Sequence, residues 1–192
     1  MARQARTTEN LKQRIADALL DLLAERPLTE ISVCAITDRA DVGRATYYRH
    51  FTSKKEVITY KLQTIFEPLF APAGSLAEYG RQHSPTQLIL AYTEHLLHHK
   101  AALETIYSAD LGYMLFAYLY YEREAQGDDD VARYRHAIRA AMLFAITDQW
   151  ITSGFAKSPS DLARLLTVDV IPYHGHAKFQ PAADHGDART PH

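Results

Sequence analysis

Residues 42–51, VGRATYYRHF, crowd Arg44, Arg49 and His50 together with the hydroxyls of Thr46, Tyr47 and Tyr48 into fewer than three helical turns. Between 42 and 55 the cations Arg44, Arg49, Lys54 and Lys55 are joined by His50, and no Asp or Glu offsets them. Guanidinium, ammonium and hydroxyl groups of this kind grip phosphate oxygens and hydrogen-bond base edges. On a helical wheel Tyr47 and Phe51, four residues apart, fall on one side. Ala45, Thr46 and Arg49 fall on the other, with Arg44 and His50 at the flanks and Tyr48 between the two faces. The reading is a helix with one anchored face and one outward face small enough to let its backbone approach a DNA major groove.

A second local feature agrees with the first. Ser53 and Glu56 have the spacing of a capping box, so Lys54 and Lys55 fall in the first turn of the following helix, where the macrodipole is already positive. Each lysine costs about 0.3–1 kcal/mol there unless an anion docks. A phosphate at that terminus reverses the sign of the interaction; a merely solvated basic face is the alternative. The charge of the chain is divided in the same sense. Residues 1–60 carry ten Lys or Arg against eight Asp or Glu, and the remainder eleven against fifteen, for a formal total of −2. One basic surface on a mildly acidic protein suits a single anionic partner.

The elements that must position this segment are readable from periodicity. Leu11, Ile15, Leu19, Leu22 and Leu23 predict an amphipathic helix, with Thr7 and Thr8 as caps and Pro27 as its stop. Ser32 caps a helix of about two turns with Val33, Ile36 and Ala40 on one face, interrupted at Asp41 and Val42. The helix capped by Ser53 continues through Val57, Ile58, Leu62 and Ile65 until Pro68 and Pro72 break it. Two short helices around a tight turn, the second presenting basic and hydroxyl groups, describe a helix-turn-helix.

Residues 31–58, ISVCAITDRADVGRATYYRHFTSKKEVI, resemble the DNA-binding signature of the TetR/AcrR family of transcriptional regulators, in which T-x-Y-x-x-F is followed by a small loop and a K-E pair. The resemblance implies that Arg44, Thr46 and Arg49 face bases or adjacent phosphates, that Tyr48 and Lys54 hold the DNA backbone, and that Tyr47 and Phe51 are anchors. His50 joins the DNA-binding set from the flank. Three positions depart from the family pattern: Asp41 stands where glycine is usual in the turn, Thr37 where a small residue is usual, and Cys34 where a longer polar side chain is common.

Beyond 68–84, a proline- and glycine-rich stretch read as a linker, the pattern is again helical. Ser84 and Pro85 open a segment reaching Tyr107 with a kink near 98–101, another helix is expected over 112–126, a long one after the acids 128–130 up to Ser153, and a last one from Ser158 to Pro172. No strand pattern emerges. The expected architecture is all-α: a three-helix helix-turn-helix DNA-binding domain over 8–67, a helical effector-binding and dimerisation domain over 68–172, and a disordered tail over 173–192. Within the helix from Val131 to Ile151, AIRAAMLFAITDQWI (137–151) is apolar on nearly every side apart from Arg139, Thr147, Asp148 and Gln149, which requires burial on more than one face and points to a homodimer. Tyr113, Phe116 and Tyr120, with Tyr92, His95 and Trp150 from other helices, are candidates for an amphipathic effector pocket; packing by tyrosines is the competing reading. QWITSGFAKSPSDLARLL is similar to the C-terminal region of one branch of the family that includes activators as well as repressors. A repressor released by its effector is expected, with an activator of the same fold as the alternative.

Other chemistries find little support. His95 and His99 are four apart, but Glu94 precedes both and no third ligand is evident, so no metal, cofactor or catalytic residue is assigned. His174 and His176 fall in the polar tail, and Cys34 alone cannot form an internal disulfide. No apolar run suffices for a membrane span or a signal peptide, and a cytoplasmic address is expected.

Overall fold

The chain buries its first apolar stripe by laying one long helix across two short ones and a second long one. The computed structural model describes residues 2–70, 83–122 and 129–170, and among them every regular element is helical. Helix α1 (Ala2–Leu23) points Ile15, Ala16, Leu19 and Leu22 into the core. After a 3₁₀ turn (Leu28–Glu30), α2 (Val33–Arg39) starts at Ser32, whose Oγ accepts from the Ala35 amide at 3.1 Å. Then follow α3 (Arg44–His50) and α4 (Lys54–Phe70), with α1 packed along α2 and α4.

Two expectations are corrected in this half. The first helix begins at Ala2, so Thr7 and Thr8 lie inside it; the preceding Ala, Arg and Gln are strong helix formers and carry the helix back past any cap. Pro68 does not break α4, which continues to Phe70. Proline inside a helix costs about 3 kcal/mol, but burial of Leu69, at about 1.5–3 kcal/mol, offsets much of that so close to the helix end. Pro72 and most of the expected linker fall outside the described residues.

The second half begins at α5 (Pro85–His98), opened by the expected Ser84 cap and first-turn proline, with Gln87 completing the box. His99 breaks the helix without proline or glycine, and α6 (Lys100–Ser108) follows. The expected helix over 112–126 is present as α7 (Tyr113–Ala117) running directly into a π turn at Tyr118–Glu122, and 123–126 lie outside the described residues. Helix α8 (Asp130–Thr152) is capped by Asp129, whose Oδ1 accepts from the Ala132 amide at 2.6 Å. Helix α9 (Pro159–Leu165), capped by Ser158, ends in a π turn at Leu166–Val170 and packs on α5. Pro172, His174, His176 and the tail lie outside the described residues.

Candidate nucleic-acid interface

Helix α3 is divided as the wheel predicts. Tyr47 and Phe51 are buried, their rings 6.0 Å apart, and Phe51 meets the Tyr60 ring of α4 edge-on at 5.7 Å. The Tyr47 hydroxyl is buried without a hydrogen-bond partner among the described residues, and burial raises its pKa to about 12. On the opposite face Arg44, Ala45 and Arg49 are exposed, Tyr48 is 62% exposed, and Thr46 and His50 are half-buried. The phenol ring of Tyr48 stands edge-on to that of Tyr47 at 5.3 Å, which braces its exposed position. Arg44 lies beside the Cys34 thiol and near Asp38 of α2, while Cys34 donates from Sγ to Asp38 Oδ2 at 3.4 Å.

The turn that sets α3 against α2 is held from a distance. Asp41 adopts φ 50°, the left-handed conformation that makes glycine usual at such a position. The amide of Val42 returns to the Thr37 carbonyl at 3.0 Å and that of Asp41 to the Asp38 carbonyl at 3.2 Å, the paired bonds of a Schellman motif. Arg14 of α1 then places Nη2 on the Ala40 carbonyl at 2.6 Å, on the Asp41 carbonyl at 2.9 Å and on Asp41 Oδ2 at 3.1 Å. Here a carboxylate does what glycine cannot: it gives the strained turn a charged tie to another helix. Arg14 was missed by sequence reasoning because its partners are 26 and 27 residues away and no local pattern links them.

The start of α4 departs from expectation. Ser53 Oγ accepts from the Glu56 amide at 3.1 Å, but the Glu56 carboxylate reaches back to the amide and hydroxyl of Thr52, at 2.6 and 2.7 Å. Those bonds hold the Glu56 carboxyl below its ordinary pKa. Lys54 turns away from solvent: its ammonium donates to the carbonyls of Leu28 and Ile31 at 2.5 and 2.7 Å, tying α4 to the 3₁₀ turn. Its role in the fold is therefore structural first. Lys55 is the exposed lysine of the pair, and its Nζ sits 5.5 Å from the centre of the Tyr113 ring.

The six residues singled out for an effector pocket have separate engagements. The Tyr92 hydroxyl pairs with Thr147 Oγ1 at 2.5 Å in the interior, His95 Nε2 donates to the Ile65 carbonyl of α4 at 2.7 Å, and Trp150 Nε1 donates to the Lys157 carbonyl at 2.9 Å. Tyr113 is 53% exposed, whereas Phe116 and Tyr120 stack on each other at 5.3 Å. Of the six, Phe116 and Tyr120 are in ring contact. Tyr107, beside Asp148, belongs to the same aromatic cluster but not to the six; burial and then the carboxylate push its pKa up. No group of three or more potential metal ligands forms among the described residues, and none of their helices is long and apolar enough to cross a membrane.

An exposed basic and hydroxylated helix, anchored from behind and set by a tight turn against a capped short helix, is the geometry of a helix-turn-helix. Residues 15–60, from the middle of α1 into α4, match the family model for bacterial regulatory proteins of the tetR family. These residues are similar to the DNA-binding domain of that family. No curated protein matches the chain. The match covers the helix-turn-helix and stops inside α4, leaving the second half to be read from its own side chains.

Proposed function

We propose that this protein is a TetR-family regulator, a homodimeric repressor that grips a palindromic operator with α3 and leaves it when a small amphipathic effector enters the second half. The observation that carries the DNA reading is the division of α3: Arg44, Tyr48 and Arg49 exposed on a helix whose Tyr47 and Phe51 are locked in the core. Arg44, Thr46 and Arg49 are assigned to bases or neighbouring phosphates, Tyr48 and His50 to the DNA backbone. Lys54 acts through its bonds to Leu28 and Ile31, and Lys55 is the lysine free to meet phosphate at the α4 terminus.

Dimerisation is supported by α8. Val131, Tyr134, Ile138 and Met142 recur at helical spacing, and Tyr134 and Ile138 are 73% and 61% exposed. They line a groove of about 560 Å³ together with Arg135 and Arg139. An apolar stripe repeated on two copies is self-complementary across a two-fold axis. Two recognition helices about 34 Å apart, or a multiple of that, then read two half-sites, which supplies the affinity that one cannot. An effector with both apolar and hydroxyl-seeking parts suits the interior of the second half, where Tyr92, Thr147 and Tyr107 place hydroxyls among buried apolar side chains.

Selection of bound duplexes from a random pool should return a palindrome, and Arg49→Ala should weaken binding to it by about 1–3 kcal/mol per contact while leaving the helical fold unchanged. Wild-type affinity in Arg49→Ala would overturn the assignment of α3. Repeating the selection with a metabolite library separates repression from activation: a repressor loses the duplex on adding effector, whereas an activator retains or gains it.

A further inference from the structure

Tyr113 belongs to the second half of the chain, yet its ring lies against the start of α4. It opens α7 and is 53% exposed, and the ammonium of Lys55, in the first turn of α4, sits 5.5 Å from its ring centre. The corner that presents it is firmly held. The amide of Leu111 returns to the Ile106 carbonyl and that of Asp110 to the Tyr107 carbonyl, both at 3.0 Å, with Asp110 at φ 58°. The Schellman arrangement seen at Asp41 between α2 and α3 is thus repeated between α6 and α7. Leu111, Met114 and Leu115 are buried there, and α7 packs on α4. Gly112 lets the corner close down on α6, since a Cβ at that position would stand 2.9 Å from Tyr107 Cε1. Tyr113 therefore reaches Lys55 from a backbone fixed on both sides.

The two lysines at this end of α4 are held in different ways. Lys54 gives its ammonium to the carbonyls of Leu28 and Ile31. Lys55 is exposed and pairs with no carboxylate among the described residues; Glu56 beside it is engaged by the amide and hydroxyl of Thr52. An aromatic face attracts an ammonium through the quadrupole of the ring. It adds no negative charge, so the lysine keeps its full charge toward an anion, whereas a carboxylate would cancel it. What the ring removes is conformational freedom. A lysine on a flexible four-carbon stem that is already held in place carries less of the ordering cost of a phosphate contact.

We propose that Tyr113 is a positioning residue of the DNA-binding surface: its ring holds Lys55, charge intact, for a backbone phosphate. This use of Lys55 rests on the operator-binding reading above. Lys55 is the last cation of the run 42–55, which contains no Asp or Glu, and Tyr113 lies outside residues 15–60, the segment similar to the tetR family. The surface that meets DNA is thereby completed by a side chain of the second half. A phosphate contact carries no sequence information, so its loss lowers affinity for any duplex alike.

The test measures binding of the full-length protein to the selected palindrome and to a scrambled duplex across a salt series, for the wild type, Lys55→Gln, Tyr113→Leu, Tyr113→Phe and the double variant Lys55→Gln with Tyr113→Leu. Lys55→Gln should weaken binding about tenfold on both duplexes and make the slope of log affinity against log salt shallower by about 1, as one lost phosphate contact requires. Tyr113→Leu should weaken binding about two- to fivefold, again on both duplexes, the size of a ring contact to an exposed cation. Tyr113→Phe keeps the ring face and should stay within about twofold of the wild type. Added to Lys55→Gln, Tyr113→Leu should change nothing further. Wild-type binding by Tyr113→Leu overturns the proposal; so does tighter binding, since the ring would then be withholding the lysine from DNA. An equal loss with and without Lys55 means that Tyr113 does not act through the lysine, and a loss confined to the palindrome means that α3 has been disturbed; either result overturns it too. A wild type that selects no duplex overturns the operator-binding reading itself, and this use of Lys55 with it.

Discussion

The two ends of the molecule solve opposite surface problems. Around α3 the exposed groups are cations and hydroxyls and the apolar ones are locked behind them, so the face is well hydrated. Along α8 the exposed groups are Val131, Tyr134, Ile138 and Met142, apolar and outward. The first surface suits water as it stands; covering the second would be worth roughly 25 cal/mol per Å² of apolar area. Exposure therefore has two meanings here. A charged exposed face on a rigid backing reads as a contact for a charged ligand, and an apolar one at helical spacing reads as a missing neighbour.

The largest effect that can break this comparison lies on α8. Ile138→Glu should leave the helical content unchanged, convert a dimer to a monomer at micromolar concentration, and reduce palindrome binding to that of a single half-site. Sedimentation showing the wild type already monomeric would remove the need for a neighbour. Next comes the tie between α1 and the turn. Arg14→Ala removes charged hydrogen bonds to two carbonyls and should lower stability by roughly 1–2 kcal/mol in denaturant titration, the group being partly exposed. It should also weaken DNA binding, because the angle between α2 and α3 loses its brace.

A smaller effect separates conformation from charge at Asp41. Asp41→Ala keeps the left-handed strain and loses the carboxylate, so it should cost about 1 kcal/mol. Asp41→Gly relieves the strain while losing the same carboxylate, and should stay within about 0.5 kcal/mol of wild type. Reversal of that order would mean that the Arg14 to Asp41 carboxylate bond outweighs the backbone strain. Smallest of all is Tyr47→Phe. Its hydroxyl is buried without a partner among the described residues, so removing it should change stability by no more than about 0.5 kcal/mol or raise it, and DNA binding should be unaffected. A loss of DNA binding in that variant would show that the anchored face is part of the contact.

How much of this was legible depended on the range of the interaction. The caps at Ser32, Ser84 and Ser158 and the two faces of α3 are decided within four residues of chain, by hydrogen bonds and periodicity that any reader of the sequence can count. Lys54 shows the limit of such counting. Its position in the first turn of α4 is local, but its partners, Leu28 and Ile31, lie 26 and 23 residues upstream. In the second half the Tyr92 hydroxyl pairs with Thr147 of another helix, a partner 55 residues away that no local pattern announces.

The sequence by itself determined the helical class, the helix-turn-helix and the outward chemistry of α3, because helix periodicity and end-capping are short-range properties of a chain. Only the tertiary structure decided which charges are spent internally. Arg14 holds the Asp41 turn, Lys54 closes the 3₁₀ turn, Lys61 meets Asp17, and His95 bonds α5 to α4. The physical reason is that a long polar side chain is committed by whichever carbonyl or carboxylate packing brings within about 3 Å, and neighbours along the chain carry no record of that choice.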